Sequence, residues 1–551
     1  MQSLVNATMG GRVKTDLESN LDQMYMILMG LLIQLMQCGF AFLEAGVVTS
    51  RNTSNIVMKN ALDACIAGVA YWTTGFAFAF GPGNNFIGWT YFALSYHPDN
   101  ELAHVFLELV IAATCSTVIS GAVAGRCRMI AYVIYSFIIT GFVYPVVTRW
   151  VWNPDGWLVS GLQYNITGVP ETIGFVDFSG SGAVHLCGGT SAIVSAALLG
   201  PRVGRFDEGW DVPKQYKGHN VAYAGYGAMI LLIGFMAFNG GSVMAVSNPG
   251  DGAAMSLSIV NTMISAGCAG YSSMFVRKLI FPNHKWSVFN TVNGAVCGMV
   301  AICASCNVVR PWGGAVIGII AGSSFNLASW VVMKCKIDDP ADSIAIHFNG
   351  GIWGLIAYAF LRYDTGILFA WDRRSGLMLA WQLCGIVAII LWTGGLSLIL
   401  FGTLKFTGLF RVSPEVEATG SDMPEHDEAA YQIDYSCLTP DLQARIKHIE
   451  DHFLPLKISY GGKEVPPFDP EAKMNNHLQP SFVPHSENEN NLHHRNTGHV
   501  NAGFTDGVER TPFNLIHSMR QNGNNKKDHE CMTFKETRCT EGETTQETRF
   551  H

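Results

Sequence analysis

The sequence predicts an all-α polytopic membrane protein, and three observations lead to this fold class. Hydrophobic residues make up 49% of the 551 residues and charged residues only 14%, a composition too apolar for a water-soluble globule. Apolar runs of about 18 or more residues, the length that an α-helix needs to cross a bilayer, recur along the chain. Two of these runs open with the same order of an aspartate, a histidine and a glycine pair.

Eleven apolar runs are predicted to be transmembrane helices. They lie near residues 22–44, 56–80, 104–124, 129–150, 180–200, 219–239, 254–278, 286–306, 311–333, 343–361 and 377–406. An odd number of helices places the termini on opposite sides, and Lys and Arg residues in short loops mark the cytosolic side. Most of these basic residues follow odd-numbered helices. We therefore expect an extracellular N-terminus (1–21), an eleven-helix domain (22–408) and a cytosolic tail (409–551).

The polar ends of the chain are predicted to contribute little to the fold. The first 20 residues lack the basic-then-apolar layout of a cleavable signal peptide, so the first helix is expected to direct insertion. The tail beyond residue 431 is rich in Asn, His, Glu, Lys and Pro and is predicted to be largely disordered. Its histidine-rich patch, His485–His499, is expected to bind metal adventitiously rather than at a built site.

Charge and cysteine usage argue against several functional classes. The net charge of −8 comes mainly from the tail, and no basic stripe indicates a nucleic-acid partner. Most of the 14 cysteines lie in or beside apolar runs without a CxxC pair, which indicates buried free thiols. We expect neither a cofactor nor a structural metal.

Two N-glycosylation sequons fall on the predicted outer side of the membrane. They are Asn6-Ala-Thr and Asn165-Ile-Thr. A glycan acceptor must lie on that side. For each sequon, use as a glycosylation site and an unused motif remain equal alternatives.

The repeated motif identifies the first candidate site residues. In the segments 177–189 and 339–351, an aspartate (Asp177 or Asp339) opens the motif and a histidine (His185 or His347) follows eight residues later. A Gly-Gly pair then follows each histidine by three and four residues. An ionisable residue in a membrane helix is expensive and therefore a functional candidate by default.

The two copies of the motif enter the membrane from opposite sides. Helix 5 begins outside near Asp177, and helix 10 begins inside near Asp339. Eight residues at about 1.5 Å each carry either histidine about 12 Å inward, which is near the midplane of a hydrocarbon core about 30 Å thick. This predicts an inverted repeat of helices 1–5 and 6–10 with one added helix, an architecture that transporters use. The glycine pairs are expected to allow close approach of neighbouring helices.

Several long motifs in residues 1–430 carry a family resemblance. They include FLEAG (42–46), NTSN and KNALDACIAG (within 52–68), YWTTGFAFAFGPGNNFIG (71–88), SGAVAGR (120–126), GFVYPVVTRWVW (141–152), DFSGSGAVHLCGG (177–189), GPRVGRF (200–206), AFNGGS (237–242) and DDPADSIAIHFNGG (338–351). Together they resemble the ammonium transporter family (Amt/Mep/Rh), most of all its plant-type branch. The resemblance implies a homotrimer in the plasma membrane in which each eleven-helix subunit has its own pore. It implies transport of ammonium or ammonia, with methylammonium as an analogue, and no enzymatic reaction.

The resemblance also assigns roles to individual residues. Trp152, Phe238 and Ser242 match an outer recruitment site for ammonium, Asp177 matches the acid that supports it, and His185 and His347 match the twin histidines of the pore. The chemistry agrees, because ammonium is a small cation with four donors that suits aromatic faces and a hydroxyl acceptor.

Simpler interpretations stand beside these assignments. A single Trp or Phe at a membrane interface is usually an aromatic-belt residue. For the histidines the simpler alternative is a satisfied polar contact between packed helices, whereas a zinc site would need further ligands.

Two departures from the family pattern concern gating. Ile111 stands where the first of two stacked phenylalanines is expected, so the outer gate would consist of Ile111 and Phe238. Residues 411–431 resemble a regulatory segment that touches the neighbouring subunit, and Gly420 lies within it. Pro424 replaces the phosphorylatable threonine of plant-type members, which excludes phosphate regulation at that position.

Two alternatives to transport come from other functional classes. A membrane ammonium sensor would keep the fold and signal through its tail, although a receptor needs no pair of histidines at the midplane. An intramembrane metalloenzyme would use the two histidines, but the sequence offers it neither further ligands nor a general acid.

Overall fold

A computed structural model describes residues 14–166, 168–207, 218–280, 283 and 285–431, together with the backbone of two short strands. The chain divides into two compact units, Met1–Gln432 and Ile433–His551. In the second unit the strands Ser459–Tyr460 and Lys463–Glu464 pair antiparallel. Asn6 and the patch His485–His499 lie outside the described residues.

Among the described residues, the first unit contains one apolar helix for each of the eleven predicted runs. They are α1 (Asp16–Val47), α2 (Ser50–Phe80), α3 (Asp99–Val123), α4 (Met129–Ser160), α5 (Ser181–Leu199), α6 (Val221–Gly241), α7 (Asp251–Ile280), α8 (Val288–Ile302), α9 (Pro311–Lys334), α10 (Ile344–Leu361) and α11 (Arg373–Phe406). Ten are long and apolar enough to cross a membrane within this described part, and α8, with 15 residues, is shorter. The predicted all-helical polytopic fold is thereby confirmed.

Two helices begin earlier than their apolar runs because capping residues precede the runs. Thr15 accepts a hydrogen bond from the amide of Glu18, and the Glu18 carboxylate accepts one from the amide of Thr15. This capping box starts α1 at Asp16 rather than near residue 22. Asp372 and Ser375 form the same arrangement before α11. The predicted boundary of the N-terminal segment at residue 21 therefore lies inside α1.

A short hairpin connects α4 to α5. Its strands, β1 (Leu162–Ile166) and β2 (Val169–Ile173), pair antiparallel, with Asn165 opposite Pro170. Asn165 is exposed. Its side chain is therefore accessible, as a glycan acceptor requires, and its use as one remains a prediction.

Residues 411–431 pack on the helix ends of their own subunit. The Arg411 guanidinium donates to the carbonyl oxygen of Leu199 at 3.0 Å, and the amide of Ser421 donates to Asn52 Oδ1 at 2.9 Å. We call this end of the bundle the tail end. The opposite end, where α4 stops and α5 begins, is called the Trp152 end.

The helices α5 and α10 run in opposite directions through the bundle. Arg202, just beyond the last residue of α5, donates from Nε to Asp338 Oδ2 at 2.7 Å, and Asp338 lies just before α10. Burial opposes ionisation of Asp338, but the charge and hydrogen bonds of Arg202 outweigh it and hold the pKa of this carboxyl well below its usual range. The end of α5 and the start of α10 therefore meet at the tail end. This agrees with the predicted inverted repeat.

The glycine pairs bring the two histidine helices into direct backbone contact. A Cβ placed on Gly189 of α5 would lie 2.5 Å from the amide nitrogen of Phe348 in α10. A Cβ placed on Gly351 of α10 would lie 2.6 Å from the carbonyl oxygen of Ser181 in α5. Both distances are too short for any side chain. The expected close approach is confirmed and is reciprocal.

Two of the contacting segments are π-helical rather than α-helical. Among the described residues, π-helical turns occupy Ser181–Leu186 in α5 and Ile344–Phe348 in α10, with others in α2 and α4. Such turns are frequent at functional sites because they add a residue to one turn and redirect side chains. His185 and His347 lie in these two turns, which the sequence spacing did not indicate.

The outer surface of the bundle is apolar. Met229 on α6 is 66% exposed, Tyr271 on α7 67%, and Leu391 on α11 70%. Large exposed apolar surfaces are rare on soluble monomers. The lipid bilayer is the environment that such a surface fits.

Candidate functional site

His185 and His347 meet in the interior of the bundle. Their Nδ1 atoms lie 3.2 Å apart, and their rings stack with centroids 5.2 Å apart and an interplanar angle of 25°. His185 is fully buried and His347 is 3% exposed. One ring comes from the Trp152 end and the other from the tail end, as the repeat predicted.

The Nδ1 contact requires complementary tautomers on the two rings. A single hydrogen shared there makes one ring the donor and the other the acceptor, with both rings neutral. The donor ring then has a bare Nε2, and the acceptor ring carries its hydrogen on Nε2. Within the described residues, the buried Nε2 of His185 has no hydrogen-bond partner. The pair therefore offers one acceptor and one donor to a small ligand.

Three phenylalanine rings surround the histidine pair. Phe235 stacks on His185 with centroids 5.4 Å apart, Phe238 lies 6.0 Å from His185, and Phe40 lies 6.4 Å from His347. The rings make the surroundings of the pair apolar. Phe238 was predicted, whereas Phe235 and Phe40 were not.

One of the two missed rings had a signal in the sequence. Phe235 precedes Phe238 by three residues and so lies on the same face of α6, a relation that the helical period could have indicated. Phe40 comes from α1, and no local pattern connects it with the histidines.

Asp177 is a buried cap at the start of α5. Its carboxylate accepts hydrogen bonds from the amides of Gly180 at 3.0 Å, Gly182 at 2.7 Å and Ala183 at 2.9 Å. The residue is 2% exposed. Since its carboxylate is occupied by backbone donors, Asp177 acts by holding the turn that carries His185.

Asp339 has the corresponding position at the start of α10. Its Oδ2 accepts a hydrogen bond from the amide of Ile344 at 2.7 Å. Burial, together with the nearby Asp342, raises the pKa of Asp339 to about 7. The same residue type thus caps both histidine helices, from opposite ends of the bundle.

Trp152 is attached to the capped turn of α5. Its indole Nε1 donates to the backbone carbonyl of Asp177 at 2.7 Å. Gly180 has a φ of 96°, and a Cβ there would lie 3.2 Å from Trp152 Cζ2. Glycine therefore supplies both the left-handed conformation and the room for the indole.

Phe238 and Ser242 lie at the end of α6. Ser242 Oγ donates to the carbonyl oxygen of Phe238 at 2.9 Å, so the lone pairs of the hydroxyl are what it can offer a ligand. Phe238 is fully buried and Ser242 is 5% exposed. The three residues expected to form the outer recruitment site, Trp152, Phe238 and Ser242, are called the vestibule. Trp152 is hydrogen-bonded to the capped turn of α5, which carries His185. The Phe238 ring lies near the His185 ring itself.

Ile111 is 2% exposed in α3 and belongs to the same hydrophobic core as Phe238. It contributes apolar surface without an aromatic face. Its pairing with Phe238 as an outer gate remains a prediction.

Within the described residues, no group of three or more His, Cys, Asp or Glu side chains is suited to a metal ion.

The family model for the Ammonium Transporter Family matches residues 24–431. The chain belongs to the ammonium transporter family. This is a family of transporters rather than enzymes.

The alignments with relatives in the ammonium transporter family extend over most of each relative's length. "Putative ammonium transporter 1" of Caenorhabditis elegans is 40% identical over 439 residues, which cover 77% of this chain and 81% of the relative. "Ammonium transporter 1 member 3" of Solanum lycopersicum is 34% identical over 435 residues, covering 75% and 93%. The expected resemblance to plant members is confirmed.

Solved structures of the family share the fold. A "Sensor Amt Protein" matches with a TM-score of 0.67 and 29% identity, over 75% of this chain and 99% of that one. Mep2 of Saccharomyces cerevisiae matches with a TM-score of 0.61 and 24% identity, over 71% and 89%. Both support the helical polytopic fold of the first unit.

Proposed function

We propose that this chain carries ammonium across the membrane by separating it into ammonia and a proton. The observation that supports this most is the neutral pair of His185 and His347, enclosed by phenylalanine rings and with a free ring nitrogen. Such a lumen penalises a bare cation strongly. It accepts a small neutral molecule that can both donate and accept hydrogen bonds.

The proposed path begins at the vestibule. The faces of Trp152 and Phe238 attract ammonium by cation–π interaction, which strengthens as water is removed. The oxygen of the Ser242 hydroxyl accepts a hydrogen bond from one N–H group of ammonium. Asp177 contributes through the turn it caps, because its oxygens are already bound to backbone amides.

Selectivity follows from what happens beyond the vestibule. Ammonium can lose its proton and pass as ammonia, whereas potassium, although close to it in size, cannot. Imidazole is suited to this task because it is donor and acceptor at once and exchanges protons near neutral pH.

The test is uptake of labelled methylammonium and ammonium-dependent current in cells that lack their own ammonium transporters. We expect both in cells expressing the wild-type chain and neither in cells with an empty vector. A chain that reaches the membrane and gives neither signal contradicts the proposal.

An ammonium sensor is the second candidate. It is favoured by the likeness to a solved structure whose title names a sensor and by the long C-terminal unit that follows the helices. A sensor would bind ammonium without net flux, so absence of uptake combined with ammonium binding would support it. The buried histidine pair favours transport.

The assembly and orientation are part of the same proposal. We propose a homotrimer in the plasma membrane, with the Trp152 end outside and the tail end in the cytosol, as the family resemblance and the basic loops indicate. Asn165 then lies outside, and Asn6 is assigned to that side by the sequence alone. Glycosidase treatment should lower the apparent mass, and it should do so less after Asn165→Gln.

A further inference from the structure

A small cavity adjoins His347. It is lined by side chains from α1, α3, α6 and α8 and by residues in and before α10, among them Phe40, Glu44, Thr117, Ser343 and His347. The space open to the centre of a water molecule is about 10 Å³, enough for about one such molecule. Ammonium is of similar size.

The cavity lies on the tail side of the histidine pair. Phe40 packs near His347, and Glu44 follows Phe40 by one turn of α1 toward the tail end. Soon after α1 the chain reaches Asn52, whose side chain accepts a hydrogen bond from the amide of Ser421 in the tail segment. The cavity is therefore on the opposite side of the histidines from the vestibule.

Glu44 supplies the carboxyl group of this cavity. It is 2% exposed, and its Oε2 accepts hydrogen bonds from Asn60 Nδ2 at 2.9 Å and Ser120 Oγ at 2.8 Å. Both donors bind the same oxygen, and Oε1 accepts no hydrogen bond from the described residues. A Cβ on Gly121 would lie 3.4 Å from Glu44 Oε1 and 2.5 Å from Ser343 Oγ. Glycine at 121 thus keeps open the space that Oε1 faces.

We propose that Glu44 anchors a second ammonium site, on the tail side of the histidine pair. This inference rests on the proposed function. Glu44 Oε1 and the hydroxyl oxygen of Ser343, which both line the cavity, supply acceptors for a cation with four N–H donors. The carboxylate attracts the cation strongly because the surroundings have a low effective dielectric constant.

The two entrances of the pore consequently differ in chemistry. The vestibule attracts ammonium with aromatic faces and a hydroxyl, whereas the tail-side site uses a carboxylate. Removing the Glu44 charge should therefore affect ammonium arriving from the tail side and leave its capture at the vestibule unchanged.

The experiment compares the two directions of transport in cells that lack their own ammonium transporters. Influx of labelled methylammonium is measured against its external concentration, and efflux from preloaded cells against its internal concentration. In Glu44→Gln we expect the half-saturation concentration for efflux to rise about tenfold, as expected for losing one charge-assisted hydrogen bond. We expect the value for influx to stay within about twofold of wild type.

Two further variants support the comparison. Glu108→Gln makes the same change at another fully buried glutamate, on α3 beside His104 and outside the cavity lining. It should leave the efflux value as in wild type. Gly121→Ala places a methyl group against Ser343 Oγ and Ala341 Cβ of the cavity lining without changing any charge, and it should weaken efflux in the same direction as Glu44→Gln.

The outcomes distinguish the inference from the function on which it rests. Equal changes in both directions, or no change in either, in Glu44→Gln would overturn the tail-side site while leaving transport established. If Glu44→Gln does not reach the membrane, an unchanged efflux value in Gly121→Ala overturns it. Absence of transport by the wild type contradicts the proposed function itself, and the inference with it.

Discussion

In apolar surroundings a carboxylate attracts a cation strongly, whereas a pair of neutral imidazoles does not. The Nδ1 atoms of His185 and His347 lie 3.2 Å apart, and a single hydrogen shared between them leaves both rings neutral. A charged ligand gains little there to offset its loss of water. In the proposed mechanism, the exclusion of potassium therefore depends on residue chemistry rather than on pore width alone.

A fixed negative charge in place of either imidazole should relieve that exclusion. We expect His185→Asp and His347→Glu to conduct ammonium as an ion and to begin to leak potassium, because the carboxylate attracts cations at low effective dielectric constant. Alanine at either position should lower transport, since it removes the donor and acceptor without attracting a cation. The measurement is a comparison of potassium and ammonium currents across wild type and these variants.

The result can contradict the role of the pair. If the carboxylate variants reach the membrane and still exclude potassium completely, selection lies in the vestibule of Trp152, Phe238 and Ser242. The central role given to the two histidines would then be wrong.

Ile111 tests the outer gate. Ile111→Phe should restore an aromatic face beside Phe238 and tighten the apparent affinity for ammonium while transport is retained. Half-saturation concentrations of wild type and variant are compared for uptake of labelled methylammonium. An unchanged value would count against Ile111 as a binding element of the gate.

At the scale of elements, the position of each histidine depends on its helix start. Asp177 and Asp339 cap α5 and α10 through backbone amides, and a π-helical turn follows each cap. The glycine pairs, which have no side chains, then allow the backbones of the two helices to pack in direct contact. The 3.2 Å contact between the rings thus depends on the caps of Asp177 and Asp339 and on the close crossing of α5 and α10.

Adding a methyl group at the crossing should separate the rings. In Gly189→Ala the new Cβ would lie 2.5 Å from the Phe348 amide, and in Gly351→Ala 2.6 Å from the Ser181 carbonyl. Because these are backbone atoms, one of the two helices must move to make room for the methyl group. A displacement of about 1 Å between reacting groups can cost about a hundredfold in rate. We therefore expect transport to fall about tenfold or more.

Gly395→Ala is the matched control for the crossing. Gly395 lies in α11 with open space where a Cβ would stand, and a helical Gly→Ala change is mildly stabilising there. Its uptake should equal that of wild type when surface expression is matched. Wild-type uptake by Gly189→Ala would show that the ring contact tolerates a shifted crossing.

At the scale of the whole molecule, the tail segment connects the last helix to the start of α2. Gly420 has a φ of 93°, and a Cβ there would lie 2.4 Å from the Cβ of Arg51 and 2.5 Å from its carbonyl oxygen. Neighbouring contacts join Ser421 to Asn52 and Asp422 to the amide of Asn55. The segment thus contacts its own subunit, and contact with a neighbour remains a prediction.

A bulky charge at Gly420 should dislodge the segment and block activity. With φ 93° and ψ 155°, Gly420 lies in a backbone region that is essentially open to glycine alone. This conformation disfavours Gly420→Asp by about 1–3 kcal/mol, and the contact with Arg51 adds to that. The neighbouring exposed position supplies the control, because Thr419→Asp adds the same charge without either conflict. Uptake is measured for both variants and for mixtures of mutant and wild-type subunits.

The mixtures report on coupling between subunits. If tails act on neighbours in a trimer, a mixed population should lose more activity than its share of Gly420→Asp subunits. A loss in proportion to that share would show that each tail controls only its own pore.

The sequence by itself determined the helices and the histidine pair. A bilayer obliges every spanning segment to satisfy its backbone hydrogen bonds internally, so apolar length alone identifies the helices. The repeated motif marked His185 and His347 because ionisable residues in such segments are rare. Capping boxes, which lie outside the apolar runs, moved the start of α1 to Asp16 and that of α11 to Arg373.

Only the tertiary structure decided which side chains meet. The histidines are 162 residues apart, and Phe40 and Glu44 approach them from the first helix, a relation that no local period encodes. The π-helical turns were equally hidden, since hydropathy does not distinguish them from α-helix. Side-chain contacts in a membrane bundle depend on how closely backbones pack, and here glycines in two distant helices set that distance.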